Sequence, residues 1–249
     1  MVLLAVSIGL VAYDVTRSGD SLAGTEPAVP AAAAPPSDQV APPTANPDPA
    51  VAAPPSTVLA DGTGTFTYAA TGGPVVGHGG DILAYRVAVE DGSGVIPDAF
   101  AGAVEATLAD PRSWIAGGDV RLQRVGGSAP AAFTVFLATP ATSQRMCREE
   151  WMETQRYTSC RLSDGRVVIN LDRWLTAVPD YGAPLAVYQA YAINHEVGHQ
   201  LGHGHESCPG PGQPAPVMLQ QTLGLQGCTA NAWPYLGGAR YRGPPSAAR

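Results

Sequence analysis

Residues 195–206 read HEVGHQLGHGHE, a run in which histidines and a glutamate recur at spacings suited to metal-assisted hydrolysis. On a helix, His195 and His199 are four positions apart, so they share one face a turn apart and both imidazoles can reach one ion. Glu196 is offset by about 100° around the axis. It cannot stack with both histidines as a third ligand, but it can reach a water bound to the ion, where a base is needed. A third ligand must approach from another direction, so the helix has to stop soon after His199. Gly202 can take the left-handed conformation that ends a helix, and after the turn His205 is placed to close the site. His203 competes for that position, because in an unbroken helix it would extend the stripe; Gly202 argues for His205. Three protein nitrogens leave a fourth position open for water, the arrangement of a catalytic Zn2+ site rather than a structural one.

A helix is expected to carry this run, from Pro184 to Leu201, with Leu185, Val187, Tyr188, Tyr191 and Ile193 as its apolar residues. Upstream, Gly64 to Ala70 reads as an edge strand and Ile82 to Val89 as a more buried one. Phe100, Val104 and Leu108 fall at intervals of four and predict an amphipathic helix over Pro97 to Ala109, ended by Asp110-Pro111. Val120 to Val125, Ala132 to Ala138 and Arg166 to Leu171 read as further strands, the second continuous enough to be central. The fold class is α+β: a mixed, twisted sheet with two main helices, followed from Gly202 by an irregular, disulfide-bearing region.

The 249 residues are unevenly composed. Residues 21–56 hold ten prolines, eleven alanines and no aromatic residue, a composition that cannot bury enough apolar surface to offset its ordering entropy. They are expected to form a disordered spacer between an N-terminal segment, residues 1–20, and one folded domain at 57–241, with a disordered tail at 242–249. Val2 to Tyr13 is an uncharged apolar run, short for a spanning helix, and is read as part of a signal sequence or a membrane anchor. The four cysteines, Cys147, Cys160, Cys208 and Cys228, suit an exported chain with two disulfides, and pairing sequence neighbours closes the shortest loops. The net charge of −7 and the lack of any basic cluster set nucleic acid aside as a partner. A monomer acting on a protein or peptide substrate is expected, secreted or tethered by residues 1–20.

The run from His195 to His205 fits HExxHxxGxxH and so resembles the long zinc signature of the metzincin peptidases. In that family a tight turn follows, whose methionine forms a floor under the metal. Pro216-Val217-Met218 stands thirteen residues after His205, and the resemblance assigns that role to Met218. It also implies a substrate lying extended and adding a strand to a sheet edge, the RVVINL strand at 166–171 being the candidate. The segment VINLDRW at Val168 to Trp174, with NHEVGHQLGHGHESCPG and PAPVMLQQT, is similar to a family of exported actinobacterial proteins of unknown function. Glu206 after the third histidine resembles the astacin pattern. The tyrosine that astacins place two residues past the turn methionine is replaced by Gln220, leaving Tyr235 or Tyr241 to fold back.

Among the other candidates, His78 in GHGG reads as a solvated loop residue, and Trp174, Trp233 and Tyr235 as core packing or cleft lining. The expected activity is zinc-dependent endopeptidase, with Glu196 as general base. Two other readings stay open: a zinc amidase acting on cell-wall peptides, and a non-catalytic extracellular binding module that keeps zinc for structure. Retention of Glu196 weighs against the last, since a structural site needs no base.

Overall fold

The computed structural model describes residues 59–150 and 159–246. The expected N-terminal segment and the whole of the proline-rich spacer lie outside them. Within the described residues the strands are β1 (Phe66–Tyr68), β2 (Val75–Val76), β3 (Asp81–Glu90), β4 (Val120–Arg124), β5 (Phe133–Ala138), β6 (Cys160–Arg161), β7 (Arg166–Asn170), β8 (Tyr235–Leu236) and β9 (Ala239–Arg240). The α-helices are α1 (Pro97–Ala109), α2 (Pro140–Cys147), α3 (Leu171–Thr176) and α4 (Leu185–Gln200). None of these helices is long and apolar enough to cross a membrane.

Seven strands form one mixed sheet in the order β2-β4-β3-β5-β7-β6, with β1 pairing β3 off this path. The central pairs β3/β4, β3/β5 and β5/β7 are parallel, and the outer pairs are antiparallel. Alternation sorts the strand side chains between two cores. Tyr85, Val87 and Val89 of β3, Val135 and Leu137 of β5, and Val167 and Ile169 of β7 pack with Phe100, Val104 and Leu108 of α1 and with α4. Ala88, Phe136, Ala138 and Val168 point to the other face, against Met146 of α2, Leu162 and the Cys147–Cys160 disulfide. The fold is thus the expected α+β mixed sheet, with α1 and α4 as its long helices.

Two expectations change. The strand at 166–170 is not an edge: β6 covers it, with Cys160 opposite Val168 and Arg161 opposite Val167, so β6 is the outer strand there among the described residues. The fold also continues past Tyr241, because Pro244 and Ser246 hydrogen-bond to the backbone of Ser207 and His205. Residues 242–246, expected to begin a disordered tail, are held by main-chain bonds that no side-chain pattern announces.

Candidate metal centre

Helix α4 carries the first two histidines. It is buried from Tyr188 to Gly198 on nearly every residue, so its polar members must find partners inside the fold. Asn194, fully buried, does so on three sides. Its Oδ1 accepts from Ser113 Oγ at 2.8 Å, its Nδ2 donates to Ala232 O at 2.9 Å, and its carbonyl accepts from Trp114 Nε1 at 2.8 Å. These bonds fix the rotation of the turn on which His195 and Glu196 stand. The helix ends as the glycine predicts. Gly202 has φ +88°, its N–H donates to His199 O, and His203 N–H reaches back to Gly198 O at 2.9 Å, the paired bonds of a Schellman motif.

The turn brings His205 back onto the helix. One ring nitrogen from each of His195, His199 and His205 lies within 4.8 Å of the other two, and the group could hold a metal ion. The chemistry of the rings agrees. His195 Nδ1 lies 2.8 Å from Val217 O and His199 Nδ1 lies 2.8 Å from His203 O. A carbonyl only accepts, so each Nδ1 carries the proton and each Nε2 keeps its lone pair. His199 Nε2 then faces His205 Nε2 at 3.0 Å. Two nitrogens bound tetrahedrally to one ion at about 2.0–2.1 Å would stand about 3.4 Å apart. The observed spacings bracket that value, and small ring movements close the set.

Electrostatics favour the ligand form of the rings. Burial, with some repulsion from His199, holds His195 well below the ordinary histidine value and brings His205 down to about 4. Burial also lowers His199, against the opposing bond to the His203 carbonyl. Neutral imidazole is the state that binds a metal. Glu196 is 6% exposed, and burial alone pushes its carboxyl up to about 8. A dication beside it would favour the carboxylate and pull the other way.

The turn after the third histidine closes beneath the site. Leu219 N–H donates to Pro216 O at 2.9 Å, Val217 supplies the carbonyl that orients His195, and Met218 is fully buried. Gln221 holds this turn. Its side chain accepts from Tyr181 Oη at 2.9 Å and donates to Pro216 O and Asn231 O, while its N–H donates to Tyr191 Oη at 2.8 Å. The second disulfide, Cys208–Cys228, closes the surrounding loop, and both pairings are those of sequence neighbours. Two disulfides suit an oxidising, extracytoplasmic environment.

The remaining candidates are elsewhere. His203 is outside the histidine group; its ring stacks on Trp114 at 4.3 Å between centroids. Tyr241 spends its hydroxyl on Pro214 O at 2.9 Å, and the Tyr235 hydroxyl lies against Gly117. The tyrosine beside the site is Tyr191, 5.4 Å from His195 between ring centroids, but its hydroxyl donates to Leu219 O. His78 is exposed, Trp174 packs edge-on to Phe100 in the core, and Trp233 lies under the Arg112 guanidinium. Sequence reasoning missed Asn194, Ser113, Trp114 and Gln221. Only Asn194, an amide inside an apolar helix next to the motif, carried a signal.

No curated protein and no solved structure matches the chain. A family model described as "Protein of unknown function (DUF3152)" matches residues 53–234, a span that takes in α4, all three histidines of the group, Met218 and Gln221. The chain belongs to this family of unknown function.

Proposed function

We propose that the protein is a zinc-dependent endopeptidase of metzincin type, hydrolysing peptide bonds outside the cytoplasmic membrane and either secreted or tethered through residues 1–20. The observation that carries this reading is the convergence of three ring nitrogens, from His195, His199 and His205, next in sequence to the buried Glu196, a carboxyl with no cation paired to it among the described residues. A structural site would gain nothing from Glu196. The HExxHxxGxxH spacing and the buried Met218 under α4 support the same family resemblance.

His195, His199 and His205 would hold the zinc, which supplies a Lewis acid and a water of lowered pKa. The Val217 and His203 carbonyls keep two of the rings in the ligating tautomer. Glu196, one residue along the helix from His195, takes the proton of the attacking water on its carboxylate and returns it to the departing amine nitrogen. Its burial keeps bulk water from competing for that proton. A peptide adding to the sheet would pair with the outer strand β6, next to Gln200, whose Oε1 accepts from Arg161 Nε at 3.0 Å.

Metal analysis of the purified chain, combined with peptide-library cleavage by the wild type and Glu196→Ala, tests the proposal. One zinc per chain is expected in both, with cleavage reduced in the variant by about a hundredfold or more. A zinc-loaded wild type that cuts cell-wall fragments but no peptide would turn the assignment to an amidase. One inert on both would leave a zinc-containing binding module.

A further inference from the structure

His205 stands on a segment with no helix of its own, between Gly202 and Ser207, and its place is set by its two flanks. On one side Glu206 N–H donates to Met218 O at 3.0 Å. On the other, His205 O accepts from Ser246 N–H at 2.9 Å, Ser207 N–H donates to Pro244 O at 2.8 Å, and Glu206 pairs antiparallel with Pro245. The end of the described chain therefore runs as a strap along the ligand loop. An ion pair fastens it. Arg240 Nη2 donates to Glu206 Oε1 at 3.1 Å, with the two side chains 9% and 12% exposed, and Glu206 Oε2 accepts from Gly243 N–H at 3.2 Å. Arg240 is anchored in turn. Its Nη1 donates to the Pro234 and Tyr241 carbonyls, and its guanidinium lies 4.9 Å from the centre of Trp114, the ring on which His203 stacks.

This ion pair joins two nearly buried side chains 34 positions apart, and it lies next to the third histidine rather than in either sheet core. We infer that the strap at 240–246, locked by Arg240 and Glu206, is the positioning device for His205, so that residues beyond the family match set how tightly the centre holds its metal. The inference rests on the metal reading above. Neither Arg240 nor Glu206 touches the reacting atoms; both act through the backbone of the ligand loop. Coupling of this kind is reciprocal: if the strap tightens the metal, the metal must quiet the strap.

Hydrogen exchange on the full chain, with and without zinc, reads this directly. Zinc is expected to slow the amides of Glu206, Ser207, Gly243 and Ser246 by about tenfold or more, on the scale of a supporting shell around metal ligands. Two variants complete the test: Ser246→Pro, which removes the N–H that binds His205 O, and the double change Arg240→Met with Glu206→Gln, which avoids orphaning a buried charge. Each is expected to hold zinc about 10–100-fold more weakly and to alter the visible spectrum of the cobalt-substituted protein, which a merely structural strap would leave alone. Should the double variant fail to fold, Ser246→Pro and the wild-type exchange decide. Unchanged exchange on zinc addition, or zinc affinity within about twofold of wild type in a folded variant, overturns the inference. A wild type that takes up no zinc fails earlier, and overturns the proposed function with it.

Discussion

A Cβ placed on Gly198 would lie 2.5 Å from Met218 Sδ and 2.6 Å from Trp114 Cζ2. The thioether therefore packs directly on the backbone of α4, at the residue before His199. This sets two effects against each other in Gly198→Ala. Alanine gains about 1 kcal/mol over glycine inside a helix. Overpacking costs about 1–3 kcal/mol, and here two buried side chains on separate segments would have to move together, which puts the cost at the upper end. A net loss of about 1–2 kcal/mol is expected in thermal unfolding of the metal-free protein, with weaker zinc binding because the turn and the helix shift apart. A variant that melts higher than wild type with unchanged affinity would show that Met218 does not brace the site.

The pH response of the metal-free protein follows from opposed shifts. His195, His199 and His205 are held below the ordinary 6.5, and Glu196 is pushed from 4.5 up to about 8, all chiefly by burial. Below 6.5 the unfolded chain takes up protons that the folded histidines refuse, so stability is lost as pH falls, for His205 down to about 4. Above 4.5 the unfolded chain releases a proton that folded Glu196 keeps, so stability is lost as pH rises, until about 8. His203 is lowered by burial as well, so four histidines outweigh one glutamate below 6.5 and melting temperature should peak near that pH. Zinc should flatten the alkaline decline, since a dication favours the Glu196 carboxylate, and its affinity should fall as acid competes for the rings. Melting curves from pH 4 to 8, with and without zinc, check both limbs; a metal-free protein most stable at pH 8 would contradict the burial of Glu196.

Periodicity in the sequence located the parts of the fold that are ordered by apolar burial. Helix α1 has its expected bounds, β3, β4, β5 and β7 lie within a residue or two of theirs, and α4 ends at Gln200, just before the left-handed Gly202. Two helices it missed, α2 and α3, depend on polar contacts as well as apolar ones. Helix α2 buries Thr142 and Ser143, and Thr142 Oγ1 donates at 2.6 Å to Glu90, a carboxylate that also accepts from Thr139 N–H. No apolar stripe marks such a helix. Helix α3 begins where Asn170 Oδ1 accepts from the N–H groups of Asp172 and Arg173, a cap that the reading of RVVINL as one strand passed over. At the site, the convergence of His195, His199 and His205 was legible in their spacing around Gly202. Arg240 was not, because a partner 34 residues away leaves no mark on local sequence.

The two histidines of GHGH should separate cleanly. His205 belongs to the converging group, whereas His203 offers its carbonyl to His199 and its ring to Trp114. His205→Ala is expected to abolish stoichiometric zinc uptake while the chain still folds. His203→Ala keeps the carbonyl and loses only an aromatic stack, worth about 0.5–1.5 kcal/mol, so zinc should remain at one per chain with a lower melting temperature. Metal analysis of the two proteins decides, and zinc lost from His203→Ala but kept in His205→Ala would reverse the ligand assignment.

The two disulfides should differ in what they protect. Cys147–Cys160 closes 13 positions and joins the end of α2 to β6, whereas Cys208–Cys228 closes 20 and encloses Pro216, Val217, Met218 and Gln221. On the chain-entropy model each contributes about 3 kcal/mol by restricting the unfolded chain, so replacing either pair with serine should lower the melting temperature by a similar amount. Only the second loop carries the carbonyl that orients His195 and the amide network that holds it. Loss of Cys208–Cys228 is therefore expected to weaken zinc binding by about tenfold or more, the scale for disturbing groups behind the ligands. Loss of Cys147–Cys160 should leave affinity close to wild type at temperatures where the protein is folded. Zinc titrations of the two double-serine variants test the contrast, and equal losses of affinity would mean that the turn is held without help from its own disulfide.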